Sequence, residues 1–394
     1  MKKLLINIGK KSKKAFTYQV NSKKKNKVLK DYYQLIQKNK KNIIRENIKD
    51  IKNAAKKKLK DNLIKRLVLN DKKIIDIVNS VKKIVKLKDP TNVILEKWKR
   101  PNGLNILKVS IPIGVIGVIY ESRPNVTSDV ASLCFKSGNS VILKGGSEAF
   151  YSNLILSKLF RKSLKKNKVD ENYVQFINLR NKRIVDFLLT KMTKFIDVII
   201  PRGGKKLVKK IQDLSKIPTI SHLEGVCHSY VDKDANPKIA KRVIYNAKLR
   251  NTAICGATET ILFHEKIIKK FGNSILSNLE KNGCKIIGDS KIEKFYNGKI
   301  QKASISDWSK EYLAPIVSVK SVKNLAEAIM HINKYGTMHT DCIITQNKKT
   351  AKKFLKEVKS SIAMHNTSTQ FADGEEFGFG GEVGISTNTL PPRG

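Results

Sequence analysis

The chain has few cysteines and no long hydrophobic run, and both absences exclude classes of protein. Its 394 residues include five cysteines with no CxxC pair, which excludes a disulfide framework or a cysteine-rich zinc site. The best apolar stretch, residues 111–120, contains two glycines and reaches about half of the ~18 residues that a membrane helix needs. No secretory signal pattern is visible at the N-terminus. We therefore expect a cytoplasmic protein that has no membrane partner.

Acidic residues are scarce, and the formal net charge is +46. The excess is nearly all lysine, spread along the whole chain together with many asparagines and isoleucines. These residues share A/T-rich codons, so a biased genome explains the charge without a selected ligand. A nucleic-acid-binding protein is the alternative, and it would gather lysines and aromatic residues on one face. The dispersed pattern predicts no specific nucleic-acid partner.

The spacing of apolar residues indicates an α/β protein with more than one domain. Residues 1–90 have the three-to-four spacing of helices, and short β-branched runs alternate with helical segments from about residue 106. Such alternation predicts mainly parallel sheets in two α/β units, with their junction near residues 225–255. The predicted strands are 115–120, 141–144, 174–179, 196–200, 229–231, 258–263, 284–287, 315–319, 342–345 and 361–365. Helices are predicted to begin at Thr127 or Ser128, at Ser147 and just after Gly204.

Three turns in the first α/β unit could bind a ligand. Asn125 follows a predicted strand, at the edge where parallel sheets place ligands, although a plain Asx turn explains it equally well. The turns at 144–147 and 202–204 each join a strand to a helix start through two glycines. Free backbone amides at a helix start suit a phosphate, whereas a tight turn is the commoner explanation for either one. Two such turns on one sheet favour a dinucleotide site.

Cys255 is the strongest candidate for a reactive side chain. It lies in a loop between the two predicted units, whereas the positions of Cys134 and Cys227 are typical of buried core thiols. No Ser-His-Asp order, HExxH motif or paired-carboxylate pattern is present. The glycine cluster at 378–381 does not follow a convincing strand and fails as a dinucleotide fingerprint.

Seven segments of the sequence resemble the γ-glutamyl phosphate reductase family of the aldehyde dehydrogenase superfamily. They occur in order from about residue 30 to the end, at 98–104, 111–133, 141–149, 200–204, 224–232, 339–345 and 377–387. The resemblance implies an aldehyde-dehydrogenase-like fold with a small β oligomerisation arm, and a homo-oligomer, dimer or tetramer. The implied cofactor-binding domain is 1–97 and 115–226, and the implied catalytic domain is 227–375. The arm and C-terminal tail would be 98–114 and 376–394.

The same resemblance implies roles for individual residues. Cys255 matches the nucleophile and Asn125 the oxyanion-hole amide. The residues that match cofactor contacts are Lys144, Gly145 and Ser147 at the adenosine ribose, Gly203 and Gly204 beneath the pyrophosphate, and Glu311 at the nicotinamide ribose. The expected cofactor is NADPH, because Ser147 stands about where oxidising relatives carry a glutamate. The chain departs from the family at Gly256, where an asparagine usually follows the nucleophile.

The reaction that the resemblance implies is the reduction of L-glutamyl 5-phosphate to L-glutamate 5-semialdehyde, the second step of proline biosynthesis. A cysteine thiolate displaces phosphate from this small-molecule substrate and leaves a thioester, which is then reduced. Two alternatives stay open besides a nucleic-acid-binding protein. One is an aldehyde dehydrogenase that oxidises a free aldehyde, and the other is an inactive remnant retained as a scaffold.

Overall fold

The chain folds into two compact units in a computed structural model that describes residues 1–59, 61–181 and 183–387. The first unit comprises Met1–Ser221 together with Gly380–Gly384. The second comprises His222–Phe379 and the stretch from Ile385 onward. Part of the predicted C-terminal tail, residues 388–394, lies outside the described residues.

The N-terminal part of the first unit is helical, as the sequence predicts. Its helices are α1 (Lys2–Phe16), α2 (Ser22–Lys38), α3 (Lys40–Lys56), α4 (Asp61–Leu67) and α5 (Asp71–Lys86). Asn21 and Asn70 cap α2 and α5 by accepting hydrogen bonds from backbone amides. The apolar faces of these two helices pack into the core of the first unit, and many of their lysines lie on the exposed faces.

The rest of the first unit is a hairpin and a parallel sheet. The exposed antiparallel hairpin joins β1 (Ile94–Lys99) and β2 (Asn105–Val109). The sheet has the order β5 (Val174–Phe176), β4 (Ser140–Gly145), β3 (Val115–Tyr120), β6 (Val198–Arg202), and each pair of neighbours is parallel. Its helices are α6 (Asn125–Lys136), α7 (Phe150–Lys166), α8 (Arg183–Lys191) and α9 (Lys205–Leu214).

The second unit is built on a seven-stranded sheet whose neighbouring strands are all parallel. Its strands are β7 (Cys227–Val231), β8 (Thr258–His264), β9 (Lys285–Gly288), β10 (Ile300–Lys302), β11 (Ile316–Val322), β12 (Thr340–Ile344) and β13 (Ile362–His365), in the order β10-β9-β11-β8-β7-β12-β13. Its helices are α10 (Pro237–Leu249), α11 (Glu265–Ile267), α12 (Asn273–Lys281), α13 (Ser290–Phe295), α14 (Leu325–Tyr335) and α15 (Lys348–Glu357). The predicted fold class, two α/β units with mainly parallel sheets, is confirmed.

One prediction about helix starts is wrong. Helix α6 begins at Asn125 rather than after Thr127 or Ser128, and no side chain caps it. Both hydroxyl groups are buried and bind tyrosines instead, with Thr127 2.6 Å from the Tyr120 hydroxyl and Ser128 2.7 Å from that of Tyr32. Satisfying a buried phenol takes precedence over capping because an unpaired buried hydroxyl group is costly.

Among the described residues, no helix is both long enough and apolar enough to span a bilayer.

A buried asparagine on α3 ties together three segments of the first unit. The Asn47 side chain is 1% exposed. Its amide nitrogen donates to the Leu67 carbonyl oxygen at 2.8 Å and to the Ser152 hydroxyl at 3.0 Å. Its amide oxygen accepts from the Leu69 N–H at 2.8 Å. Asn47 therefore supplies hydrogen bonds that α4, α7 and the chain after α4 cannot obtain from water.

We predict that Asn47→Ala lowers the free energy of unfolding of the first unit by about 1–3 kcal/mol, because it leaves buried backbone groups unpaired. Asn42→Ala, at an exposed position of the same helix, is the matched control and should change stability by less than about 0.5 kcal/mol. Urea denaturation followed by circular dichroism measures both. Equal midpoints for the two variants would contradict this role.

Candidate active site

Three strands of the first unit end at the same edge of the sheet. Tyr120 at the end of β3 is in register with Gly145 of β4 and with Arg202 of β6. The residues that follow these strands therefore come together, as expected at the carboxyl ends of parallel strands. The two glycine turns and Asn125 all belong to this edge.

In the turn after β4, Lys144 and Ser147 differ in their exposure to solvent. Lys144 is buried, and its ammonium group donates to the Gly145 carbonyl oxygen at 2.7 Å. Burial lowers the pKa of Lys144 below its usual range, and the charge of Glu148 opposes that shift. Ser147 is exposed, whereas the Glu148 carboxylate accepts hydrogen bonds from the Ser122 N–H at 2.8 Å and hydroxyl at 2.9 Å. The acidic side chain of this turn is thus held by Ser122.

The turn after β6 leads into the N-terminus of α9. The Gly204 N–H donates to a carboxylate oxygen of Glu121 at 2.8 Å, so an anionic group already lies at the positive end of this helix. A Cβ atom on Gly203 would lie 2.6 Å from the same oxygen, so only glycine fits there without a shift of Glu121. A Cβ atom on Gly204 would meet nothing closer than 3.8 Å. The space at Gly204 is open and precedes a helix, but a dinucleotide phosphate would have to displace the Glu121 carboxylate from the Gly204 N–H.

Asn125 is the exposed first residue of α6. Its side-chain amide donates to Asp129 at 3.0 Å, one turn further along the helix, rather than closing an Asx turn. The other Asp129 oxygen accepts from the Ser80 hydroxyl at 2.8 Å. Burial raises the pKa of Asp129 above its usual range. These contacts fix the orientation of the Asn125 amide.

Three arginines lie near one another in this part of the first unit, beside a cleft that Asp76 and Asp129 also line. Burial lowers the pKa of the Arg123 guanidinium below its usual range, and the nearby charges of Arg66 and Arg202 lower it further. Arg66 also lines a cleft together with Asn125. Repulsion among three arginines is relieved by an anion, so this cluster is suited to a phosphate or carboxylate group. No sequence pattern indicated the cluster, because the arginines are far apart in the chain.

In the second unit, Cys255 lies half-buried in a turn just before β8. Gly225 packs against it so closely that a Cβ atom would lie 2.1 Å from the Cys255 carbonyl oxygen and 2.7 Å from its Cβ. The Gly225 N–H donates to a Glu311 carboxylate oxygen at 3.0 Å. The structure therefore brings together Cys255 and Glu311, two residues singled out in the sequence, through a glycine that the sequence did not single out.

Two histidines and a second thiol also surround Cys255. The Cys227 thiol donates to the Cys255 carbonyl oxygen at 3.1 Å and lies 3.7 Å from Nδ1 of His339. Cys227 is fully buried, which raises the pKa of its thiol well above the usual range and confirms the prediction of a core cysteine. Sγ of Cys255 and one ring nitrogen each of His222 and His339 lie within 4.8 Å of one another. Only the fold reveals this arrangement, since no motif spacing joins the three residues.

The family model described as "Aldehyde dehydrogenase family" matches residues 5–293 and 301–386 of the chain. The chain belongs to the aldehyde dehydrogenase family. It is 42% identical over its whole length to a γ-glutamyl phosphate reductase of Thermodesulfovibrio yellowstonii, of which it covers 94%. A γ-glutamyl phosphate reductase of Rhodospirillum rubrum is 46% identical over 89% of this chain and 81% of that protein.

The fold agrees with that of a solved member of the same group. The crystal structure of a γ-glutamyl phosphate reductase from Thermotoga maritima superposes with a TM-score of 0.94 at 38% identity, over 99% of this chain and 94% of that one. The resemblance inferred from the seven sequence segments is thereby confirmed, and this aldehyde dehydrogenase family member is an oxidoreductase. The roles of individual residues stay predictions.

We predict that Gly225→Ala lowers the free energy of unfolding of the second unit by about 1–3 kcal/mol, because the new methyl group overlaps the Cys255 backbone. Gly256→Ala is the matched control on the other side of the same turn. Its Cβ atom would lie 3.1 Å from the Thr369 carbonyl oxygen, so we expect a change below about 1 kcal/mol. Urea midpoints of the two variants measure the difference. A stable Gly225→Ala protein beside an unstable Gly256→Ala protein would contradict the prediction that Gly225 makes the tighter contact with this turn.

Proposed function

We propose that the chain catalyses the NADPH-dependent reduction of L-glutamyl 5-phosphate to L-glutamate 5-semialdehyde and phosphate, the second step of proline biosynthesis. The observation that carries this proposal is the turn that holds Cys255 half-exposed against Gly225, whose N–H binds Glu311. Relatives named γ-glutamyl phosphate reductase, at 42% and 46% identity, support the choice of substrate.

Cys255 is the proposed nucleophile. Its thiolate attacks the acyl carbon, a C–S bond forms, and the C–O bond to phosphate breaks as phosphate leaves with the electron pair. Cys227 is the nearest competing thiol, but burial keeps it protonated and out of reach of the substrate. Because phosphate is a good leaving group, formation of the thioester requires no base to activate water.

Asn125 is the proposed donor to the oxygen that becomes negative during this attack. Its amide nitrogen has two hydrogens, and Asp129 accepts one of them. The second hydrogen would then serve the acyl oxygen, the role that the family resemblance implies for this residue. One such donor is worth about 3–4 kcal/mol in the transition state of an acyl transfer.

The residues of the two glycine turns fit a nicotinamide dinucleotide, which supplies a hydride to the thioester when bound. Lys144, Gly145 and Ser147 would hold the adenosine ribose, Gly203 and Gly204 the pyrophosphate, and Glu311 the nicotinamide ribose. Preference for NADPH is supported by the exposed Ser147 hydroxyl and by Ser122, which holds the only acidic group of the turn. The buried ammonium group of Lys144 adds positive charge there.

The charge of the substrate agrees with the arginine cluster. L-Glutamyl 5-phosphate carries a phosphate and a carboxylate, and both are anions that guanidinium groups bind in a bidentate manner. Arg66, Arg123 and Arg202 would lower the cost of bringing this anion to Asn125.

We predict that Cys255→Ala lowers turnover by at least about 1,000-fold while the protein stays folded, because no other group can carry the thioester. The assay is the reverse reaction, reduction of NADP+ by glutamate 5-semialdehyde, measured with and without phosphate. Cys284→Ala, which removes a buried thiol directly before β9, is the control and should keep activity. Full activity of Cys255→Ala would end the covalent mechanism, and turnover independent of phosphate would favour oxidation of a free aldehyde.

We predict that Ser147→Glu lowers kcat/KM for NADP+ by about tenfold or more and leaves kcat/KM for NAD+ nearly unchanged. The reason is repulsion between the new carboxylate and the 2′-phosphate, which near a protein surface amounts to a few kcal/mol at most. Ser147→Ala is the control, since it removes the hydroxyl without adding charge. If Ser147→Glu leaves the ratio of the two cofactors unchanged, Ser147 does not face the adenosine ribose.

A further inference from the structure

We infer that His222, Cys255 and His339 form a binding site for a divalent metal ion of the zinc class, and that the bound ion blocks the Cys255 thiolate. One ring nitrogen of each histidine and Sγ of Cys255 lie within 4.8 Å of one another. Two imidazoles and a thiolate are ligands that select Zn²⁺ over Mg²⁺ or Ca²⁺. The site lies within the second unit and depends only on this geometry, not on the reaction proposed above.

The separation of the ligand atoms is close to that of a tetrahedral zinc site. Zinc lies about 2.3 Å from a thiolate and about 2.0–2.1 Å from an imidazole, so neighbouring ligand atoms are roughly 3.3–3.6 Å apart. The separations between the three atoms must therefore shorten by up to about 1.5 Å. His222 and Cys255 are half-buried and can make this movement by rotation of their side chains, while the buried His339 stays in place.

His222 is already oriented as a metal ligand. Its Nδ1 lies 3.1 Å from the Ile385 carbonyl oxygen. A carbonyl oxygen only accepts, so Nδ1 carries the hydrogen and Nε2 presents its lone pair. Metal-bound histidines are typically fixed in this way, with one ring nitrogen bound to a carbonyl or carboxylate and the other bound to the ion.

His339 offers a buried nitrogen without a hydrogen-bond partner. Its Nδ1 lies 2.9 Å from the Thr340 hydroxyl, and its side chain is 1% exposed. Among the described residues, Nε2 of His339 has no hydrogen-bond partner. A buried and unpaired ring nitrogen is costly, and a metal ion would satisfy it.

The rings of the two histidines also lie edge to face against each other. Their centroids are 5.0 Å apart and their planes cross at 75°. With Cys255 these residues provide three protein ligands and leave a fourth position for water, the coordination of an open zinc site. An ion bound to Sγ withdraws the lone pair that attacks an acyl carbon, so zinc should inhibit reversibly and a chelator should restore the thiolate.

The test is direct titration of the reduced, untagged full chain with Zn²⁺ and Co²⁺. We expect one ion per chain and, for Co²⁺, a near-ultraviolet sulfur-to-cobalt charge-transfer band. Cys255→Ala should abolish that band and weaken Zn²⁺ binding by at least about 100-fold, and His222→Ala should weaken it by at least about tenfold. His264→Asn is the matched control at the far end of β8, where asparagine can still cap α11, and should bind as the unaltered chain does.

Several outcomes would overturn the site. They are no binding to the unaltered chain at micromolar Zn²⁺, an unchanged cobalt band in Cys255→Ala, and equal affinities of His222→Ala and His264→Asn. Circular dichroism of each variant shows that a lost site is not a lost fold. Because absorption and titration need no turnover, a failed reductase assay would leave the metal site standing, and an absent metal site would leave the reductase proposal standing.

Discussion

The parallel pairing of strands is the constraint on which the rest of this structure depends. Parallel strands must be joined by crossovers, so each strand of a sheet ends at the same edge and each connection starts there. In the first unit this rule brings the residues after β3, β4 and β6 together, although the chain separates them by whole helices. In the second unit it places Cys227, at the start of β7, beside the turn that precedes β8.

The sequence predicted an element correctly where the local residue pattern and burial favour the same structure. The run that forms β3 was predicted with the bounds it has, Val115–Tyr120, because every one of its residues is buried. The prediction failed where a side chain could either cap a helix or satisfy a buried group. The Thr127 hydroxyl, for example, binds Tyr120 rather than capping α6. The prediction also failed for β10, whose three residues are too few and too exposed to show a period. Local pattern and burial agree in the first case and conflict in the others.

The candidate site was predicted only in part for a similar reason. Cys255 and Asn125 were found from their positions in a loop and after a predicted strand, and Glu311 only through the family resemblance. His222 and Gly225 precede the next strand without any periodicity. The dispersed lysines needed no ligand to explain them, and many lie on exposed helix faces. Lys248 is an instructive exception, since it is fully buried and pairs with the buried Glu259 at 2.5 Å. A charge in the core is tolerated only with such a partner.

The two thiols near the turn show how position in the fold decides exposure. Cys227 and Cys255 are joined by a hydrogen bond, yet Cys227 is buried in the sheet and Cys255 is half-exposed. Gly256, which follows Cys255, has no side chain that could brace the turn. Gly225 supplies the constraint from the opposite side, because its missing Cβ lets the backbone of residue 225 touch the carbonyl of Cys255. Rigidity at Cys255 thus depends on a close backbone contact rather than on the side chain that follows it.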